Sequence, residues 1–267
     1  MRPALINVID RAVRKAGRNL VRDFGEVEQL QVSRKGVADF VSAADTKAER
    51  TLYDELMRAR PTFGFLGEES GLRATGDGIH RWIVDPLDGT TNFLHGVPHF
   101  AISIAVERAG EIVDGVVYDP LSDNLYWAER NGGAWLNDQR LRVSARGDLS
   151  AALIATGIPF VGRGDHARYL ATQAAVMART AGVRRFGVAS LDLAWVAAGR
   201  FDGYWEYGLK PWDIAAGLLL VREAGGFASE HDAHTDPLRS GNVVAANDKL
   251  HVPLCTMVRE AWDAAGG

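Results

Sequence analysis

Trp82-Ile83-Val84-Asp85-Pro86-Leu87-Asp88-Gly89-Thr90-Thr91-Asn92-Phe93 carries an apolar strand into two aspartates three residues apart, then into a Gly-Thr-Thr turn able to open a helix. Asp85 and Asp88 are hard oxygen ligands at a strand end, the donor chemistry that Mg²⁺ favours. Gly89, Thr90 and Thr91 offer backbone N–H groups and hydroxyls where a phosphate can sit. A metal site and an anion site in one stretch read as metal-assisted hydrolysis of a phosphate ester. Taken alone, Asp-Gly is also an ordinary turn, and Asp88 can simply cap a short helix through Thr91.

Two further acidic sites shift the balance towards chemistry. Phe63-Gly64-Phe65-Leu66 reads as a strand ending in Gly67-Glu68-Glu69-Ser70. If the strand continues, the adjacent carboxylates point to opposite faces, one towards the metal site and one towards solvent. Lys210-Pro211-Trp212-Asp213 opens an almost wholly apolar helix that closes at Gly225-Gly226. Pro211 and Asp213 suit a helix start and the glycines its end, so a buried helix carries Asp213 inward at its first turn. Glu68, Asp85, Asp88 and Asp213 brought together would repel: two like charges about 4 Å apart cost roughly 4 kcal/mol at an effective dielectric of 20. Either several are protonated, with raised pKa values, or a divalent metal neutralises them. Metal is the better answer, because no lysine or histidine cluster accompanies the acids. Zn²⁺ is disfavoured by the lack of a Cys/His ligand set in these motifs.

The chain around these motifs is an ordinary globular one. Its 267 residues with 47% hydrophobic content can bury a sizeable core without staples. A formal net charge of −4 gives no general pull towards nucleic acid or anionic membrane, so an anionic substrate must be attracted locally. The single Cys255 excludes an internal disulfide and fits a reducing cytosol. Leu5, Val8, Ile9, Ala12, Ala16 and Leu20 trace an amphipathic helix without a signal peptide's apolar centre, and no run is long enough to cross a bilayer. These features predict a soluble, cytoplasmic protein.

Helices are predicted over residues 3–24 and 45–59, the second stopped by Pro61. Strands follow to about residue 143, with turns at Ala109-Gly110 and Asn131-Gly132-Gly133. Beyond residue 150 strands alternate with helices near 165–180, 190–198 and 213–224. That switch predicts an antiparallel N-terminal half and a more parallel C-terminal half. We expect one domain over residues 1–267, with subregions of about 1–145 and 146–267.

Gly67 to Ser70, Trp82 to Phe93, and Trp212-Asp213-Ile214-Ala215-Ala216-Gly217 together resemble the inositol monophosphatase family, the lithium-sensitive, Mg²⁺-dependent sugar phosphatases. Ala189 to Gly203 resembles the family's bacterial branch, and order and spacing fit over essentially the whole chain. The resemblance implies a layered α-β-α-β-α sandwich, a homodimer, and hydrolysis of small polyol or sugar monophosphates by a metal-activated water. It implies that Glu68, Asp85, Asp88, Asp213 and the Leu87 carbonyl hold two or three Mg²⁺ ions. By the same resemblance Gly89 and Thr90 seat the phosphate, and Glu68 and Thr90, the latter backed by Asp45, position the water. Glu206 accepts hydrogen bonds from substrate hydroxyls, and Ala189 forms part of the substrate wall. Val188 departs from the small Ser or Thr usual after Gly187, which weakens any inference about which polyol fits. Histidinol phosphate, fructose 1,6-bisphosphate or a nucleotide phosphate remain alternative substrates. A role in bacterial transcription complexes is an alternative of another class, with direct nucleic-acid binding disfavoured by the missing basic patch.

Asp45 is also an ideal N-cap for the helix at Thr46-Lys47-Ala48. Lys35 resembles part of the family's mobile active-site loop, and a solvated lysine is the competing reading. His95 and His99 read as packing or loop residues, and His231, Asp232 and His234 as a surface turn. Arg184 and Arg185 face either an interface or the substrate.

Overall fold

The computed structural model describes residues 2–26, 32–34, 40–74 and 76–266. Helix α1 (Ala4–Phe24) buries Ile6, Ile9, Ala12, Val13, Ala16 and Leu20, the one-sided stripe that a 3.6-residue period produces. A short antiparallel ribbon, β1 (Val32–Arg34) with β2 (Phe40–Ser42), leads directly into α2 (Ala43–Ala59). Pro61 follows Arg60 where that helix ends, as expected for a residue without an N–H.

The first large sheet has eight strands in the order β10-β9-β8-β7-β6-β5-β3-β4. They are β3 (Gly64–Gly67), β4 (Gly71–Ala74), β5 (His80–Asp88), β6 (Ala101–Arg108), β7 (Glu111–Asp119), β8 (Asn124–Glu129), β9 (Gly133–Leu136) and β10 (Gln139–Arg140). Every pairing is antiparallel except β3 with β5. Ala101 through Val106 are all buried, because both faces of the sheet are covered. The β6–β7 turn holds Ala109 at φ 52° and Gly110 at φ 85°, the paired positive values that match the strands' twist.

The second sheet is β11 (Leu153–Thr156), β12 (Gly182–Arg184), β13 (Gly203–Glu206), β14 (Phe227–Ser229) and β15 (Val243–Ala246). β11 runs parallel to both β12 and β13, while β15 is antiparallel to β13 and β14. This is the more parallel half expected from the alternation of strands and helices.

Five layers result. α1 and α2 cover the outer face of the large sheet. Helices α5 (Ala189–Ala197) and α6 (Pro211–Glu223) form the layer between the sheets, packing on each other and against both, while the short α3 (Thr90–Leu94) follows β5 and turns Phe93 into the outer core. α4 (His166–Met177) and α8 (His251–Ala264) close the far side, and α7 (Pro237–Ser240) is a single turn. Alternation along the strands decides what faces the central layer. On β5, Trp82 and Val84 join the outer core and Ile83 the central one, so Asp85 shares the face of Ile83. On β13, Trp205 faces α4 and α8, Tyr204 faces the central layer, and Glu206 follows Tyr204. Among the described residues no helix is long and apolar enough to cross a membrane.

Two expectations are corrected. α2 begins at Ala43, so Asp45 lies inside the first turn and is not its N-cap. β3 ends at Gly67, so Glu68 and Glu69 sit in the turn to β4 rather than alternating along a strand. The parallel partner β5 holds that turn, since the Glu68 N–H donates to the Val84 carbonyl at 3.1 Å.

Candidate active site

Asp85 and Asp88 would face opposite sides of a regular strand, being three residues apart. The ladder prevents this. Asp85 lies opposite Ser103 and Asp88 opposite Ala101, so β5 spends three residues where β6 spends two. One extra residue is a β-bulge, and Pro86, lacking an N–H, falls inside it. The bulge resets the alternation, and both aspartates line one cleft of about 350 Å³ with Glu68, Leu87, Gly89, Thr90, Ala189, Glu206 and Asp213.

Each aspartate rests on backbone donors. Asp85 Oδ1 accepts from the Leu87 N–H at 2.9 Å, and Asp213 Oδ2 from the Lys210 N–H at 2.7 Å. Asp88 Oδ2 accepts from the Ser190 N–H at 2.8 Å, and the Ala189 and Gly89 amides also favour its charged form. The N-terminus of α5 therefore points at Asp88. Burial nonetheless raises all three pKa values. Asp88 is pushed up to about 6, opposed by those amides. Asp85 is raised well above the usual carboxylate range by burial first, then by the charges of Glu68, Asp88, Asp213 and Asp45. Asp213 is raised by burial and by Asp88, with the Lys210 N–H opposing and Glu68 and Glu206 adding. Each acid feels its neighbours, the signature of surplus negative charge in one place.

The turn after β5 is tightly built. Gly89 adopts φ 93°, and a Cβ there would stand 2.8 Å from Val188 Cγ2 and 3.2 Å from the His99 carbonyl. Val188, at the position where the sequence departs from its resembled family, packs behind this loop instead of facing the cleft. The Thr90 hydroxyl is 2.9 Å from the Leu87 carbonyl and 3.2 Å from Asp45 Oδ2; with one hydrogen it serves one acceptor at a time. Asp45, the corrected cap, thus reaches the site from α2. Asn92 ties the loop to the α5 side by donating to the His99 and Phe186 carbonyls at 3.0 and 2.9 Å.

Glu206 stands across the cleft. Removal from water pushes its pKa up to about 7, against a hydrogen bond from Tyr204 Oη and the attraction of Arg185 and Arg163, with Asp88 adding to the rise. Gly157 lies directly beneath, and a Cβ there would overlap the Glu206 carboxyl group.

Several contributors were not visible in the sequence. Ser103, the strand partner of Asp85, donates to the Trp212 carbonyl at 3.1 Å and so pins the α6 terminus that carries Asp213. Buried Glu49 accepts from the Glu69 N–H at 2.9 Å and steadies the Glu68 turn. Arg163 and Arg185 line the cleft, while Arg184 is exposed at the end of β12. Lys35 lies outside the described residues. His95 is exposed, and His99 packs near Phe186 and Trp195. Asp232 accepts from the His234 and Thr235 N–H groups as a surface turn does. Cys255 is buried, its thiol pushed up to about 11 by burial.

The model of the inositol monophosphatase family matches residues 3–263, nearly the whole chain. The chain belongs to the inositol monophosphatase family. Among similar family members, an inositol-1-monophosphatase from Rhizobium meliloti is 62% identical over 258 residues, covering 97% of each chain. The Nus factor SuhB of Pseudomonas aeruginosa is 44% identical over 261 residues, 96% of each. The crystal structure of the extragenic suppressor protein suhB from Bartonella henselae superposes with a TM-score of 0.94 at 54% identity, covering 97% of this chain and 99% of that one. The inositol monophosphatase fold accounts for the two mixed sheets and the helix layer between them.

In this family member the donor set is all oxygen, which suits a hard divalent cation. Among the described residues no three His, Cys, Asp or Glu side chains close into a ready coordination cage. The carboxylates line one cleft and rest on their backbone donors, and a bound cation would have to draw them together.

Proposed function

We propose that the chain is a Mg²⁺-dependent phosphomonoesterase of small polyol and sugar monophosphates, with inositol 1-phosphate as the leading substrate. The observation that carries this reading is the meeting of Glu68, Asp85, Asp88 and Asp213 in one cleft with the Gly89–Thr90 turn. Mg²⁺ held by these four and the Leu87 carbonyl would offset the carboxylate charge, polarise the phosphoryl group and make water a stronger nucleophile. The protein's own groups do the rest. The Gly89 and Thr90 amides orient the phosphoryl oxygens. The Thr90 hydroxyl, passing its hydrogen towards Asp45, accepts from the attacking water, and Glu68 takes the proton. Glu206 accepts a hydrogen bond from a hydroxyl of the alcohol half, and Ala189, at the start of α5, leaves room for its ring.

The test is phosphate release, with and without Mg²⁺, from inositol 1-phosphate, inositol 2-phosphate, histidinol phosphate, fructose 1,6-bisphosphate and 3′-phosphoadenosine 5′-phosphate. Mg²⁺-dependent preference for inositol 1-phosphate supports the reading in full. Preference for another ester keeps the mechanism and changes the substrate. No release from folded, metal-loaded protein sinks it.

The similarity to proteins named Nus factor SuhB favours a second reading, a part in transcription complexes. A folded, inactive Asp88→Asn variant separates the two. If it retains the regulatory effect, that role is independent of catalysis.

A further inference from the structure

Asp192 lies in the first turn of α5, two residues beyond Ser190, whose N–H holds Asp88. It is 1% exposed, and neither of its side-chain oxygens has a hydrogen-bond partner among the described residues. An ionised carboxylate stripped of both water and donors is among the costliest groups a core can hold, so a buried one is paired or neutral. Arg185 attracts it, but burial first, and then the charges of Glu206 and Asp88, raise its pKa well above the usual carboxylate range. Asp192 is therefore a carboxylic acid at neutral pH, with one hydrogen to donate.

The groups around it narrow the acceptor to one. Asp88 is already taken up by the amides at the start of α5 and after β5. Arg185 carries donors only. Glu206 receives the hydrogen of Tyr204 Oη, which sits two residues earlier on the same face of β13. Tyr204 is fully buried in the layer where α5 packs, and its hydroxyl feels Asp192 next after Glu206 among its charged neighbours. With its own hydrogen spent on Glu206, Tyr204 Oη keeps its lone pairs for a donor. The Asp192 and Tyr204 side chains are not hydrogen-bonded as they stand. A rotation of the carboxyl group, or one buried water, spans that gap.

We propose that Asp192 is a positioning residue for Glu206: it donates its carboxyl hydrogen to Tyr204 Oη, directly or through a buried water, and so fixes the Tyr204 hydrogen on Glu206. Hydrogens then run one way, from Asp192 to Tyr204 to Glu206, and each bond strengthens the next. Glu206 ends the chain as an acceptor, with one oxygen for Tyr204 and the other for a hydroxyl of the substrate. Without Asp192 the Tyr204 bond weakens, and only Arg185 and Arg163 remain to favour the charged form of Glu206 against burial and Asp88. The inference rests on the reading of Glu206 as the acceptor for that hydroxyl.

The test compares Asp192→Asn, whose amide keeps a donor in nearly the same volume, with Asp192→Leu, which removes it. With Mg²⁺ and inositol 1-phosphate, Asp192→Leu should raise KM about tenfold at nearly constant kcat, the scale of one weakened bond to a charged acceptor. The pH at which KM rises should also move above about 7. Asp192→Asn should restore both. In a Tyr204→Phe background, Asp192→Leu should add nothing, because the path to Glu206 is already cut. Equal effects of the two Asp192 variants, or additive losses with Tyr204→Phe, overturn the proposal. Infrared spectra need neither turnover nor the Leu variant: the unaltered protein at neutral pH should show a protonated-carboxyl band that Asp192→Asn lacks, and identical spectra overturn the proposal. Carbon NMR of the Glu206 carboxyl group separates this chain from the reading of the cleft. A Glu206 titration that moves to higher pH in Asp192→Leu, in protein that hydrolyses no ester, keeps the chain and removes the phosphatase reading, whereas an unmoved titration removes the chain.

Discussion

Asp85, Asp88 and Asp213 share one environment and differ in the backbone N–H groups each has secured. Asp88 has three such donors and is raised only to about 6; Asp85 and Asp213, with less help, are raised further. A folded-state pKa above the unfolded value means that the native protein binds protons more tightly than the unfolded chain. The contribution of these three groups to the stability of the metal-free protein is therefore full below the ordinary carboxylate pKa of 3.8 and is lost as pH rises, through about 6 for Asp88 and higher for Asp85 and Asp213. Thermal unfolding in chelator should show Tm falling across that window, and Mg²⁺ should flatten the fall by binding the native state. Asp213→Asn should cut turnover more than about 100-fold, beyond the loss typical of an outer-sphere partner. In chelator its Tm should match or exceed that of the unaltered protein, because one repelling charge is gone. Near-normal turnover at limiting Mg²⁺ would remove Asp213 from the metal site. Glu206 accepts from a hydroxyl more strongly when ionised, so KM for a polyol ester should rise as pH falls through about 7, and Glu206→Gln should abolish that rise. Gly157→Ala should displace the Glu206 carboxylate and raise KM while leaving Mg²⁺ affinity unchanged; a parallel loss of metal affinity would contradict the separation of the two functions.

At the level of elements, the site is a junction of ends: the bulged end of β5 and the N-termini of α5 and α6. The strand into Asp85, the helix opened by Pro211 and both hairpin turns were legible because each has a local cause in periodicity, a missing N–H or positive φ. Glu68 was legible as a carboxylate but not in its placement, because β3 stops at Gly67 and a turn, not a continuing strand, carries the acid. Asp45 shows the same limit, since α2 starts two residues before it, at Ala43. Ser103 and Glu49 could not be found by any local rule; their partners, Trp212 and Glu69, are distant in sequence and the pairing exists only in the fold. Ser103→Ala tests the junction directly. Losing one hydrogen bond should cost about 0.5–1.5 kcal/mol of stability, while freeing the α6 terminus should lower kcat roughly 10- to 100-fold. An unchanged kcat would show that α6 is held by packing alone.

Across the whole molecule, the central helices serve two sheets at once, and the same layer that fills the core carries the reactive ends. Leu191, fully buried on α5, touches this shared core. Leu191→Ala should cost about 2–5 kcal/mol in denaturant unfolding, from lost transfer energy and the cavity left behind. Turnover should fall as well, because Asp88 depends on the α5 terminus being in register; full activity in that variant would mean that the amides tolerate a shifted helix. The antiparallel and more parallel halves were legible in the order of elements, the five layers only through the family resemblance, and the charge of −4 could not name the substrate.

The bond from Ser103 to Trp212 joins the first sheet to a residue in the last quarter of the chain. During synthesis, Glu68, Asp85 and Asp88 are all made long before Asp213 leaves the ribosome. A nascent or truncated chain thus lacks one of these four carboxylates. If the cleft holds Mg²⁺ as proposed, such a chain should take it up more weakly than the finished fold, and a pulse of Mg²⁺ given during refolding would report the moment when the two sheets close on their shared helices.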